Sequence, residues 1–147
     1  MENNGEKTKL IKFKSIGSSN LGYISVAEEF NDVPFQIKRT YWTYYTPQNV
    51  LRGGHANIDK EMVIIAVSGS IEIEVELKSG FKNTYLLNSP DEGLYLPKLC
   101  WHTMKYSHNA VQLVLASNLY SEDDYVRDYQ EFKNYGKNSS LSRRTVE

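Results

Sequence analysis

The chain has 147 residues, 17 basic and 18 acidic, and a single cysteine, Cys100. Near-neutral charge lacks the basic footprint that nucleic acid or an anionic membrane requires. One cysteine excludes an intramolecular disulfide, a Cys-based zinc site and a thiol relay. The first twenty residues hold no apolar leader core and no stretch approaches eighteen apolar residues, so the expectation is a cytoplasmic chain with no membrane span. Its length suits one domain, expected over 1–135, with the polar string 136–147 as a flexible tail.

Taken in chain order, 9–13, 22–27 and 35–45 read as strands rich in β-branched and aromatic residues. Residues 62–67 form a continuous apolar run that ends at Ser68-Gly69-Ser70. From 70 to 78, Ile71, Ile73, Val75 and Leu77 alternate with Glu72, Glu74 and Glu76, the signature of a half-buried strand. A strand at 81–87 follows Ser79-Gly80, and short Gly/Ser turns join the three segments into a meander. Strands at 93–96, 101–106 and 110–116 bring the number to about nine, spaced as in sandwiches and barrels. Residues 121–132 then switch period: Ser121 offers an N-cap, acids fill the first turn, and Tyr125, Tyr129 and Phe132 recur at i, i+4 and i+7. The expectation there is one terminal amphipathic helix.

Strand side chains alternate faces. Phe35 and Ile37 mark the inward set, so Arg39 and Tyr41 are expected to point inward with them, and a guanidinium there needs a buried carboxylate, a place at the barrel mouth or an anionic or polar ligand. By the same rule Cys100, His102, Met104 and Tyr106 share the inner face of their strand. A lone inward histidine is most often a satisfied core residue, so His102 gains weight only from company. That company is His55, which follows the flexible Arg52-Gly53-Gly54 stretch and shares a side with Asn57.

His55-x-Asn57-x3-Glu61 followed by Gly69, and then Gly93-x3-Pro97-x4-His102, resemble in order the two sequence patterns of the cupin superfamily. The resemblance implies an all-β fold, a cupin-type antiparallel β-barrel (jelly roll) with a short C-terminal helix. A divalent metal favours imidazole and carboxylate ligands, whereas Asn57 offers a weak amide oxygen. The reading is therefore metal-free, with no cofactor.

Over roughly 34–132 the chain more narrowly resembles the sugar-nucleotide 3,4-ketoisomerases of deoxysugar pathways. The matching segments are Pro34-Phe-x-Ile-Lys-Arg-x-Tyr41, Arg52-Gly-x-His-Ala56, Gly69-Ser, Ser89-Pro-x-x-Gly-Leu-Tyr95, Trp101-His-x-Met104, Leu115-Ala-Ser117 and Tyr120-x3-Asp-Tyr-x-Arg-Asp-Tyr129. The resemblance implies a thymidine-diphosphate 4-keto-6-deoxyglucose substrate whose ketone moves from C4 to C3 through an enediolate. In that setting His55 is the expected base, Tyr41 relays or donates a proton to the enediolate oxygen, and His102 lies against the sugar. Arg39 and Arg52 are the expected diphosphate partners, because guanidinium matches phosphate bidentately, and Asn57 is a hydrogen-bonding contact. A tyrosine is expected to stack on the thymine.

The chain departs from the family at the segment that usually reads His-Ala-His-Lys with a later Gln, since it carries His55-Ala56-Asn57-Ile58 and Met62. Leu21 also stands where the family usually has Arg or Tyr. An amide cannot titrate, so the alternative is a weakened or inactive sugar-nucleotide-binding homologue, and a metal-dependent cupin oxygenase ranks below it. Outward Trp42 and Tyr44 would leave an apolar stripe on a monomer, which together with the resemblance points to a homodimer.

Overall fold

The computed structural model describes residues 7–137. Two five-stranded antiparallel sheets face each other in a cupin-type jelly roll. The first contains β1 (Lys9–Lys12), β9 (Glu92–Leu96), β6 (Met62–Ser68), β11 (Val111–Ala116) and β4 (Arg39–Thr43), in that spatial order. The second contains β12 (Tyr125–Val126), β5 (Leu51–Asn57), β10 (Cys100–Tyr106), β7 (Ile71–Leu77) and β8 (Lys82–Leu87). A separate hairpin pairs β2 (Lys14–Ser18) with β3 (Gly22–Val26).

The alternation in β7 does what its period demands. Ile71, Ile73, Val75 and Leu77 are buried, and they meet Met62, Ile64 and Ala66 of β6 and Val114 of β11 in a core between the sheets. Glu72 and Glu74 are exposed, but Glu76 is buried because Lys133 reaches over it, 3.0 Å from Oε1. Gly69 turns β6 into β7 with φ of +67°, and a Cβ there would lie 2.7 Å from the Ala110 Cα. Only glycine closes this turn without displacing its neighbour.

Several expectations are corrected. Strand 35–45 shrinks to Arg39–Thr43. Phe35 packs with Val33, Ile65 and Leu115 in a second cluster that covers the first sheet's other face. Phe35 and Ile37 therefore do not mark the inner face, although Tyr41 does pack against the core between the sheets. The helix expected over 121–132 is broken into three pieces: a 3-10 turn at Glu122–Asp124, strand β12, and α1 (Tyr129–Asn134). Ser121 makes no side-chain cap, whereas the Asp128 carboxylate accepts from the Glu131 backbone N–H. Phe132 of α1 is buried with Ala56 and Val126, which fixes the C-terminal segment to the outer face of β5. Of the tail expected over 136–147, residues 138–147 lie outside the described residues.

Candidate active site

Register places the two motif histidines. Strand β10 pairs with both β7 and β5, and His102 is opposite His55 in the latter pairing. A bulge between His102 and Thr103 then brings Gly53 level with Thr103. Gly53 has φ of +83°, and a Cβ there would come within 2.7 Å of the His102 carbonyl oxygen. Glycine at 53 thus lets β5 lie tightly on β10, leaving the imidazole centroids 4.6 Å apart, edge to face.

Both rings line a cavity of about 220 Å³ between the sheets. Tyr41 and Thr43 of β4, Gln112 of β11, Arg52 of β5, and Tyr125 and Arg127 from the C-terminal segment complete its polar wall. Two of the lining residues are tied together inside it, the Tyr106 hydroxyl donating to Gln112 Oε1 at 2.6 Å. A larger open groove, about 750 Å³, lies between the hairpin and the outer face of the first sheet, but no histidine, lysine or arginine lines it. The chemistry-bearing groups converge in the smaller cavity.

His102 is 2% exposed, and its Nδ1 lies 3.0 Å from the Cys100 carbonyl oxygen. A carbonyl can only accept, so Nδ1 carries the proton and the ring is fixed in one tautomer. Burial lowers the His102 pKa to about 4. His55 is lowered to about 3 by burial first, then by the repulsion its protonated ring would meet from a protonated His102 and from Lys60 and Arg127. Its buried Nδ1 makes no hydrogen bond of full geometry, and a weaker contact with the Gly53 backbone opposes the downward shift. Both imidazoles are therefore neutral at physiological pH. Tyr41 is pushed the other way, up to about 12, chiefly by burial, and so keeps its hydroxyl proton.

The structure brings His55, His102, Tyr41 and Arg52 together on the cavity wall. Asn57 is elsewhere: it is 2% exposed, and its Nδ2 donates to Asp124 Oδ2 at 3.1 Å. Arg39 also lies outside the lining, its guanidinium 5.0 and 5.6 Å from the ring centroids of Tyr41 and Tyr120 and its buried Nε unpaired. Glu61 accepts from the Tyr95 hydroxyl at 2.6 Å. Among the described residues no three His, Cys, Asp or Glu side chains are grouped as a metal ion would need.

Sequence reasoning missed Tyr125, Arg127 and Lys60. The Tyr125 ring stands 4.9 Å from that of His55, and the Arg127 guanidinium lies 4.4 Å from the Tyr125 centroid. Arg127 also donates to both Glu122 carboxylate oxygens, at 2.7 and 3.0 Å. The signal for the first two was the matched segment Tyr120-x3-Asp-Tyr-x-Arg-Asp-Tyr129, which contains both but was read there without a role for either. Lys60 left no local signal at all.

Two facing sheets with a histidine-bearing chamber between them define a cupin-type protein. The chain belongs to the family described as FdtA, WxcM-like, C-terminal, which matches residues 6–137. It is 37% identical over 130 residues to the TDP-4-oxo-6-deoxy-alpha-D-glucose-3,4-oxoisomerase of Aneurinibacillus thermoaerophilus, covering 88% of this chain and 92% of that protein. Among solved structures it is similar to a TDP-quinovose 3,4-ketoisomerase from Campylobacter jejuni, with 37% identity, TM-score 0.82, and 90% and 99% of the two chains covered. A sugar 3,4-ketoisomerase from Thermoanaerobacterium thermosaccharolyticum, solved with TDP, is 34% identical with TM-score 0.83 over 88% and 94%. A histidine-to-asparagine mutant of that enzyme, solved with TDP-4-keto-6-deoxyglucose, is 33% identical with TM-score 0.83 over 96% and 99%.

Proposed function

We propose that this protein is a sugar-nucleotide 3,4-ketoisomerase that converts TDP-4-keto-6-deoxyglucose to its 3-keto isomer without a metal or redox cofactor. The observation that carries the reading is the pair of neutral imidazoles, 4.6 Å apart, on one wall of a cavity that Tyr41 also lines. Family membership and the ketoisomerase relatives support it.

Isomerisation removes the acidic C3 proton, holds an enediolate, and returns a proton to C4. His55 suits the first task, since a neutral ring on the cavity wall can accept that proton and return it on the same face of the sugar. Tyr41, still protonated, donates to the developing oxyanion. His102, locked by the Cys100 carbonyl, packs against the sugar. Arg52 meets the diphosphate, joined by Arg39, whose unpaired Nε is a donor in search of an acceptor. Asn57 acts from behind the wall by holding Asp124.

The direct test follows TDP-4-keto-6-deoxyglucose in deuterated water by NMR. The expected result is deuterium at C3 and C4 together with a growing 3-keto product. Exchange no faster than the uncatalysed rate would overturn the reading.

A homodimer is part of the proposal. Trp42 and Tyr44 are 60% and 55% exposed on and just beyond edge strand β4, and Ile16, Tyr23 and Ile24 are exposed on the hairpin. A second copy of the chain is the occupant these apolar side chains suit. Sedimentation at micromolar concentration is expected to give twice the chain mass, and a monomer would refute it. Cytoplasmic residence is also proposed, supported by the lone, buried Cys100.

A further inference from the structure

Lys60 is 1% exposed, in the turn between β5 and β6. Burying an ammonium is costly unless an anion compensates, yet among the described residues Lys60 forms no ion pair. Its Nζ instead donates to the Tyr41 hydroxyl at 3.3 Å and lies 5.4 and 5.2 Å from the ring centroids of Tyr41 and Tyr125. The groups around it are Arg39 and Tyr41 from β4, His55 from β5, His102 from β10, Asp124 from the 3-10 turn, Tyr125 from β12, and Arg127. Burial and the Arg39 charge lower the Lys60 pKa to about 8, opposed by Asp124 and reinforced by Arg127.

We propose that Lys60 is the second proton-transfer group of this site, a relay and positioning residue that acts on the sugar's oxygens through the Tyr41 hydroxyl. The inference rests on the isomerase reading above. Moving the ketone transfers two hydrogens, one from C3 to C4 and one from O3 to O4. His55 carries the carbon-bound one. Asn57 cannot titrate and faces Asp124, so it cannot carry the other. A buried phenol alone resists losing its only proton. With Lys60 behind it, Tyr41 gives its proton to O4 of the enediolate while the ammonium reprotonates the phenol oxygen. The neutral amine then receives, again through Tyr41, the proton leaving O3. C4=O has become C4–OH, C3–OH has become C3=O, and the enzyme is back in its starting state with no electron gained or lost.

The test compares the wild type with Lys60→Met and Lys60→Arg on TDP-4-keto-6-deoxyglucose in deuterated water, following C3 exchange and 3-keto product separately. Without the relay the enediolate falls back to the substrate. Product formation is therefore expected to drop about 100-fold in Lys60→Met, while C3 exchange drops far less and KM stays nearly unchanged. Arginine keeps the charge but cannot release its proton, so Lys60→Arg is expected to behave like Lys60→Met. Wild-type turnover is expected to fall on the alkaline side with a midpoint near pH 8, and both variants to lack that limb. Near-wild-type turnover in either variant, or exchange and product falling together, overturns the proposal. If neither variant folds, the wild type decides: product lost near pH 8 with exchange retained supports the relay, and parallel loss overturns it. A wild type that neither exchanges nor isomerises would instead sink the isomerase reading itself.

Discussion

Replacing His55 with glutamine is expected to reduce 3-keto product formation by roughly 10²- to 10⁴-fold, the contribution of a positioned general base, with KM changed little. The reason is geometric. Of the two neutral rings on the cavity wall, His55 is the one not fixed by a full hydrogen bond, its contact with the Gly53 backbone being weaker than the bond that holds His102. His102 has its Nδ1 committed to the Cys100 carbonyl and Tyr41 holds its proton tightly. Glutamine retains the size and hydrogen-bonding capacity of the side chain but cannot carry a proton, so sugar binding survives. C3 exchange is expected to collapse together with product, unlike the separation expected at Lys60. Steady-state kinetics and C3 exchange on the same preparation check this, and a His55→Gln protein with a tenth or more of wild-type turnover would remove His55 from the role of base.

The second large effect is on stability in acid. In the folded protein the pKa values of His102 and His55 are lowered to about 4 and about 3, against an ordinary value near 6.5 in the unfolded chain. Above about pH 6.5 both states hold the rings neutral and stability is level. As pH falls below that value the unfolded chain takes up protons that the folded protein refuses, so stability declines until the folded pKa values are reached. Fully buried His102 alone accounts for a loss of about 2 kcal/mol between pH 7 and pH 5. His55, less deeply buried, adds to the same trend. Urea denaturation at the two pH values measures the loss, and His102→Gln is expected to flatten the slope. Equal midpoints at pH 7 and 5 would contradict the assignment of two low-pKa imidazoles.

Much of the scaffold was legible because burial on one face imposes a period on the chain, as in β7, where every second side chain enters the core. Strand β5 was harder to see. Gly53 and Gly54 there have positive φ, so the segment looks like a loop, although those angles are what seat it against β10. The terminal segment misled for a different reason. Tyr125, Tyr129 and Phe132 have helical spacing, but Tyr125 pairs with Asn57 in a strand and turns its ring toward His55. Tertiary pairing overrode a short periodic signal. Lys60 was invisible because nothing beside it in the chain buries it. Tyr41 and Tyr125, nineteen and sixty-five residues away, close over its ammonium.

Strand β12 has a further consequence for how the protein matures. Tyr125 and Arg127 form one side of the chamber, and they arrive after every strand of the two sheets except β12 itself has been made. As the polypeptide leaves the ribosome, β1 to β11 can pair and bury the hydrocarbon between them before this last side exists. Competence is thus conferred only once this segment has been added, when Val126 and Phe132 seat beside Ala56 and carry the neighbouring aromatic and guanidinium groups into position.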